Sequence, residues 1–401
     1  MKRLGLLLLA LTLAPAIGQP PPGSELAKLV DVQTQFALKL LAGQPSGKTA
    51  FLSPFSIYQV LTMAYVGAKR DTKAELAKAL GVDAANDQWL SVNGQLASRL
   101  VAEGNQGKCR FRNANALYLS DQVQVRPEYL AQASAAVSGA MVSPQDFTQP
   151  GRVEATVNQW VSDQTKGRIP AILAPDSVSP RTSLIGVNAV FFKARWQSVF
   201  EPRLTKPEPF KLLTGESVDV PTMQRQLLTY YASGPGWQAA WLPYEGGPFT
   251  TFIILPSAGQ FETYATGFGP PQLAAVRASA QRVLLRIHLP RFDATVNTDL
   301  CGPMQAMGIR KAFAAADFSG IGIDPRGPMY VEKLTHQAMV KVDEEGTEAA
   351  AATAMGVVPG GDSPELPKLV EMRVDRPFIF LITDRMTGTI LFAGRILDPR
   401  G

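Results

Sequence analysis

The sequence predicts an α+β fold, with helices in the first part of the chain and strands in the rest. Helical patterns extend to about residue 170. From about residue 182 the apolar runs are short, β-rich and bounded by Gly, Pro, Asp or Asn. This order is typical of an α+β domain built around large, largely antiparallel sheets. No internal repeat or long linker follows residue 24, so we predict one domain.

Two of the predicted helices carry signals at their ends. Asp71 is placed to cap a helix over "TKAELAKALG", with Gly81 as its stop. A second helix, over "VEATVNQWVSDQTKGR", is predicted to end at Gly167, ahead of Pro170. Six later runs are predicted to be strands: "SLIGVNAVFF", "TTFIILP", "RVLLRIHLPRF", "AMVKVDEE", "FIFLIT" and "TILFAGRI".

The N-terminus has the pattern of a secretory signal peptide. Lys2 and Arg3 precede an apolar run over 4–14, and small residues follow before a Pro-rich stretch. We expect residues 1–18 to be removed by cleavage near Gly18 and the protein to be secreted, to the extracellular space or a periplasm. A membrane anchor is the alternative, but the apolar run is shorter than the roughly 20 residues that span a bilayer.

Charge and cysteine content restrict the partners. The net charge of +5 falls to +3 when Lys2 and Arg3 are removed with the signal peptide. A protein that binds nucleic acid is expected to carry a denser cluster of basic residues. The short basic run of Lys108, Arg110 and Arg112 fits a solvated strand face better than a polyanion contact. Cys109 and Cys301 allow at most one disulfide; because 192 residues separate them, two isolated thiols are favoured.

The residues needed for catalysis or metal binding are scarce. The only histidines, His288 and His336, lie in strand-like runs, and His288 is interpreted as a polar residue on one strand face. There is no nucleophile elbow, zinc-protease motif, P-loop or Cys/His cluster. A Ser-His-Asp site has no positive support in the sequence. We therefore predict no catalytic residue, no metal and no cofactor.

An unusual segment, "VDEEGTEAAAATAMGVVPGG" at 342–361, joins a strand pattern to a run of alanines. By itself the run favours a helix or a flexible linker, because alanine loses no side-chain entropy in a helix.

Four separated segments resemble the serpins, inhibitors that trap a protease by inserting a loop into a β-sheet. The segments are "FLSPFSIYQVLTMAYVGAKRDTKAEL" at 51–76; "VNQWVSDQTKGRI" at 157–169 with "LIGVNAVFFKARW" at 184–196; "VEKLTHQAMVKVDEEGTEAAAAT" at 331–353; and "DRPFIFLITDRMTGTILFAGRILDP" at 375–399. The resemblance implies one serpin domain over 24–400 with about nine helices, three β-sheets and an exposed reactive-centre loop at about 344–368.

In such an inhibitor the cleaved loop becomes a strand of the main sheet while the protease is still attached as an acyl-enzyme. A strand buried on both faces must carry small side chains. At period two, Thr347, Ala349, Ala351 and Thr353 share the inward face, and Gly346 is expected to absorb a backbone rotation. The resemblance assigns the following residues to this hinge: Glu344, Glu345, Gly346, Thr347, Glu348, Ala349, Ala350, Ala351, Ala352 and Thr353.

Two further sites follow from the resemblance. Ser53, Ser56, Asn188 and His336 match the shutter, a polar cluster beneath the opening of the main sheet; for His336 alone, a satisfied core histidine describes the same residue. Trp196 and Glu344 match the breach, where the loop first enters, and we expect the Trp196 ring beside the Glu344 carboxylate.

The predicted position of the scissile bond depends on whether residues are counted forward from the hinge or back from Pro377. The usual spacing forward from Gly346 gives Gly360-Gly361, whereas counting back from Pro377 gives an improbable bond before a proline. Met355-Gly356 and Asp362-Ser363 remain alternatives. No Arg or Lys lies between 346 and 367, which argues against trypsin-like targets.

The predicted function is a secreted, monomeric suicide-substrate inhibitor of elastase-like or subtilisin-like serine proteases, without contact with nucleic acid or membrane. Papain-like cysteine proteases are the alternative targets. A non-inhibitory serpin-fold carrier is the alternative function, but it would be favoured by Pro or bulky charged residues at 347, 349, 351 or 353, and none occurs there.

Overall fold

The computed structural model describes residues 19–347 and 368–400. The predicted signal peptide, the hinge from Glu348 onward and all candidate scissile bonds lie outside these ranges. The described ranges contain nine α-helices: α1 (Glu25–Ala42), α2 (Pro54–Gly67), α3 (Arg70–Leu80), α4 (Gln88–Glu103), α5 (Pro127–Ala136), α6 (Pro150–Gln164), α7 (Phe261–Gly267), α8 (Pro270–Ala278) and α9 (Cys301–Ala306).

Seventeen strands accompany them: β1 (Ala50–Leu52), β2 (Arg110–Ser120), β3 (Gln124–Val125), β4 (Ala140–Gln145), β5 (Leu184–Arg195), β6 (Lys206–Lys211), β7 (Ser217–Gly234), β8 (Trp237–Pro243), β9 (Phe249–Pro256), β10 (Gln281–Pro290), β11 (Phe292–Asp299), β12 (Gly322–Ile323), β13 (Val331–Val342), β14 (Gly346–Thr347), β15 (Leu369–Arg373), β16 (Phe378–Asp384) and β17 (Ile390–Ile396).

The strands form three sheets. The largest has the order β1-β17-β16-β9-β8-β7-β10-β15, with β6 paired to β7. The six-stranded sheet has the order β11-β13-β14-β5-β2-β4, and a two-stranded sheet joins β12 to β3. Of the pairings in the described ranges, those of β13 with β5, β2 with β4 and β10 with β15 are parallel. The predicted α+β class and the largely antiparallel sheets are confirmed.

Helix α2 occupies the centre of the core. Its residues are buried all round except Val66, as expected for a helix that is apolar on every face. Ser53 caps its N-terminus, because the Ser53 hydroxyl accepts a hydrogen bond from the Ser56 N–H at 3.2 Å. The cap fixes both serines beneath β5 and β13.

Three details differ from the prediction. The division into helices first and strands later is not strict: strands β1 to β4 precede residue 170, and helices α7 to α9 follow residue 182. Of the early strands, β2 pairs with the later strand β5 in the six-stranded sheet. Asp71 is not the N-cap of α3: the helix begins at Arg70, so Asp71 lies in its first turn, where a carboxylate favours the helix dipole. Gly81 ends α3 with a left-handed φ of 74°, as predicted.

Helix α6 ends at Gln164, three residues before the expected stop. Thr165 follows it, and its hydroxyl donates to the Val161 carbonyl at 2.8 Å and accepts from the Ile169 N–H at 3.1 Å. Gly167 then takes a left-handed φ of 74°. No helix in the described residues is both long and apolar enough to cross a membrane.

Candidate functional site

The predicted hinge begins where β5 and β13 separate. The two strands pair directly from Val331 with Leu184 to Ala338 with Val190. Beyond this point β14 lies between them: Thr347 pairs with Val342 of β13 and with Ala194 of β5. Gly346 and Thr347 of the predicted hinge therefore already form a short strand inside the six-stranded sheet.

A tight turn returns the chain from β13 into β14. The Asp343 N–H donates to the Gly346 carbonyl at 3.0 Å. The Asp343 carboxylate accepts hydrogen bonds from the backbone N–H groups of Glu345 at 3.1 Å and Gly346 at 3.3 Å. An aspartate that binds the following amides stabilises such a turn locally.

The structure gives a further reason for glycine at 346. The φ of Gly346 is not among the positive values of the described chain. A Cβ at this position, however, would lie 2.1 Å from the Ala194 carbonyl oxygen. Gly346 is required because the backbones of β14 and β5 approach too closely for any side chain.

Thr347 points into the core, as the period-two pattern predicted. Its side chain is fully buried, and its hydroxyl lies 2.6 Å from the Tyr244 hydroxyl. The Tyr244 hydroxyl also lies 2.6 Å from that of Thr251. Burial raises the pKa of Tyr244 far above its ordinary value, so the phenol stays protonated.

At the breach, the hydrogen bonds of Trp196 go to Asp343 and Glu345, the two neighbours of Glu344. The Trp196 ring stacks on Tyr244 at 4.6 Å between centroids, and its indole N–H donates to the Asp343 carbonyl at 2.9 Å. The Trp196 backbone N–H donates to the Glu345 carbonyl at 2.8 Å. Trp196 thus holds the turn that leads into β14.

The Glu344 carboxylate is bound by Arg291, whose Nε donates at 2.8 Å, and by the Thr205 hydroxyl. Burial alone would raise the pKa of Glu344, but the hydrogen bonds from Arg291 and Thr205 outweigh it and hold the pKa below its ordinary value. The partner of the carboxylate is a guanidinium because a buried charge needs an opposite charge.

The four predicted shutter residues lie together. The His336 Nε2 accepts a hydrogen bond from the Ser53 N–H at 3.0 Å, and Nδ1 is hydrogen-bonded to the Asn188 side-chain oxygen. A neutral ring with its proton on Nδ1 satisfies both contacts. Burial lowers the pKa of His336 to about 3, so the ring remains neutral.

The cluster extends through Asn188 to the neighbouring strand. The Asn188 amide donates to the Ser56 carbonyl at 3.1 Å and to the Asn115 side-chain oxygen at 2.6 Å. The Ser56 hydroxyl donates to the side-chain oxygen of Asn113. The sequence reasoning missed both asparagines of β2, although their alternation in "RNANA" places two amides on one strand face.

His336 and Asn188 are also register partners across the direct pairing of β13 with β5. Any strand that enters between β13 and β5 at this level must break the hydrogen bond between these two side chains. The shutter therefore lies in the path of further insertion, below the two residues of β14.

The other predicted positions have structural roles. Cys109 is buried, Cys301 is half-buried and both are free, which confirms two separate thiols. His288 lies on β10, 3.1 Å from the Glu208 carboxylate. The described residues contain no group of His, Cys, Asp or Glu arranged to hold a metal ion.

The nine helices, the three sheets and the short strand β14 between β13 and β5 define the fold class of the described residues. A family model, Serpin (serine protease inhibitor), matches residues 31–399, and the chain belongs to the serpin family. The fold prediction of nine helices and three sheets is thereby confirmed for the described residues.

Comparisons with individual proteins agree with the assignment to the serpin family. An uncharacterized serpin-like protein of Thermococcus kodakarensis is 35% identical over 90% of this chain and 83% of its own length. The leukocyte elastase inhibitor of Bos taurus is 33% identical over 93% of this chain and 100% of its length. The solved native structure of the thermophilic serpin tengpin shares the fold, with a TM-score of 0.83 and 24% identity over 95% of this chain and 96% of tengpin.

Proposed function

We propose that this serpin is a secreted, monomeric suicide-substrate inhibitor of serine proteases. A protease that cleaves the reactive-centre loop forms an acyl-enzyme, and insertion of the cleaved loop between β5 and β13 carries the protease away before deacylation. Displacement disturbs the oxyanion hole and the catalytic residues, so the ester persists. The serpin contributes a substrate and mechanical work but no catalytic group.

The observation that carries the proposal is the position of Gly346 and Thr347 between β13 and β5. A strand that begins inside the sheet can lengthen by adding residues in register. The following inward positions, 349, 351 and 353, are Ala, Ala and Thr, which fit a packed interior. A non-inhibitory carrier has no need for such a small-residue series.

The relatives favour an elastase-like target. One of them is named as a leukocyte elastase inhibitor, and Gly360, the residue before the preferred scissile bond, suits a protease with a narrow pocket. Secretion rests on the signal pattern of residues 1–18.

A protease panel tests the proposal. Purified protein is incubated with elastase-like, subtilisin-like, trypsin-like and papain-like enzymes, and the products are separated in SDS. We expect a covalent complex with an elastase-like or subtilisin-like enzyme, and none with the same enzyme after its catalytic serine has been blocked. Cleavage of the loop by every enzyme without any SDS-stable complex would contradict inhibition and favour the carrier. Complexes with the papain-like enzyme alone would reassign the target class.

A further inference from the structure

A row of three leucines, half-buried in the middle and exposed at both ends, crosses the sheet from β7 to β15. Leu284 of β10 pairs in register with Leu228 of β7 on one side and with Leu369 of β15 on the other. Paired residues on neighbouring strands point to the same face. The exposed fraction is 46% for Leu228 and 50% for Leu369, so the row lies at the surface.

The opposite face of these strands is occupied by the core. Leu227, Leu285 and Met372, each next to a residue of the outward face, are buried. Single exposed leucines are common, but here Leu228 and Leu369 are exposed on either side of the half-buried Leu284, and the three form a continuous apolar surface. Such a surface is typical of a site that contacts another protein.

Positive charge borders the row. Arg282 and Arg286 lie on β10, two residues to either side of Leu284, and both are exposed. The Arg286 side chain lies 3.4 Å from the Gln226 side-chain oxygen. Neither arginine forms an ion pair with a carboxylate within the described part of the chain, so both charges are available to a partner that carries acidic groups.

A recess of about 380 Å³ adjoins one end of the row. Leu228, Tyr230 and Arg282 line it, together with Trp241 and Arg385. The Trp241 indole N–H is buried and has no hydrogen-bond partner among the described residues. The recess can accept a side chain from a partner.

The short stretch of chain between the predicted scissile bond and β15 indicates which partner the leucine row would contact. The carbonyl of Lys368, just before β15, accepts a hydrogen bond from the Leu284 N–H at 3.2 Å. Gly361 precedes Lys368 by seven residues, which span at most about 25 Å whatever their conformation. A protease domain of about 220 residues has a radius of gyration of about 17 Å. A protease bound at the scissile bond is therefore large enough to reach the leucine row.

We infer that Leu228, Leu284 and Leu369, with Arg282 and Arg286 beside them, form a docking surface for the body of the target protease, outside its active site. The inference rests on the proposed function. The partner surface that fits has an apolar patch bordered by carboxylates. Docking accelerates the encounter with the loop and selects among proteases that share the same pocket specificity.

The test compares Leu228→Gln with Leu130→Gln, a matched change of an exposed leucine on α5. For each variant, the second-order rate of complex formation and the number of inhibitor molecules consumed per protease are measured with the enzyme that the unmodified protein inhibits. We expect Leu228→Gln to lower the rate at least about fivefold without changing the stoichiometry, and Leu130→Gln to change neither. A damaged sheet would instead change the stoichiometry, because it would slow insertion after acylation.

Charge gives an independent measurement. Arg286→Glu should lower the rate, and added salt should slow the unmodified protein more than Arg286→Glu. Equal rates for all variants would overturn the docking surface. So would sedimentation showing a dimer that Leu228→Gln dissociates without a change of rate, because the row would then bind a second copy of the chain. If the unmodified protein forms no covalent complex with any protease, the proposed function fails first and this inference fails with it.

Discussion

The hydroxyl groups of Thr347 and Tyr244 lie 2.6 Å apart in the core, at the place where the hinge enters the six-stranded sheet. Tyr244 is in turn stacked on Trp196, which holds the preceding turn through the Asp343 and Glu345 carbonyls. The first inward side chain of the hinge, Thr347, is thus already buried in the intact chain.

Thr347→Arg should convert the inhibitor into a substrate. A guanidinium at this buried position has no carboxylate partner among the contacts of Thr347, and burying an unpaired charge costs several kcal/mol. We expect cleavage to continue while the yield of covalent complex falls at least about tenfold, measured by densitometry of SDS gels. Thr347→Ser, which keeps the hydroxyl, is the control and should retain the yield. An undiminished yield for Thr347→Arg would show that trapping does not depend on a small buried side chain at position 347.

The neutral His336 should make stability depend on pH. Its pKa is about 3 in the folded protein against an ordinary value near 6.5, so the unfolded chain binds a proton first as the pH falls. The contribution of His336 is therefore fully present above about pH 6.5 and is lost between about pH 6.5 and 3. The loss is about 1.4 kcal/mol per unit, or about 2 kcal/mol at pH 5.

Urea unfolding at pH 7.5 and pH 5.0 measures this loss, and His336→Gln is the comparison that removes the contribution of other titrating groups. The variant should lose about 2 kcal/mol less than the unmodified protein over this interval. In case the variant does not fold, NMR of the imidazole in the unmodified protein is decisive. A ring that becomes charged near pH 6.5 in the folded state would contradict the prediction.

Cleavage of the loop between 355 and 363 should raise the melting temperature. β14 is described over Gly346–Thr347, between β13 and β5, and each residue that joins the strand after cleavage brings backbone hydrogen bonds worth about 1 kcal/mol net. A rise of at least about 10 °C is expected in a thermal scan. The same cleavage of Thr347→Arg is the control and should give no rise. An equal or lower melting temperature after cleavage of the unmodified protein would remove the argument that the intact fold stores free energy.

The architecture could be predicted from the sequence because strand runs and turn signals are local patterns. The hinge, the shutter and the breach were assigned through the resemblance to serpins, since local patterns alone do not show which distant residues meet. Arg291 was not predicted as the partner of Glu344, since 53 residues separate the two and only the register of β11 with β13 brings them together. The close approach at Gly346 was not predicted for a similar reason: the carbonyl that excludes a Cβ belongs to a distant strand.

The last prediction locates the scissile bond, which lies outside the described residues. If insertion starts at Gly346 and follows the usual spacing, the bond is Gly360-Gly361. The strand that starts at β14 then carries the protease through about 14 residues, or roughly 45 Å. Earlier cleavage gives a shorter displacement and later cleavage leaves slack, so both should favour turnover over trapping.

Gly360→Arg should add trypsin-like targets, because a deep pocket with an acidic base binds the new side chain. Mass spectrometry of the C-terminal fragment released from the complex gives the answer directly. A fragment that begins at Gly361 supports the bond, whereas one that begins at Gly356 or Ser363 would move it and reassign the specificity to Met355 or Asp362.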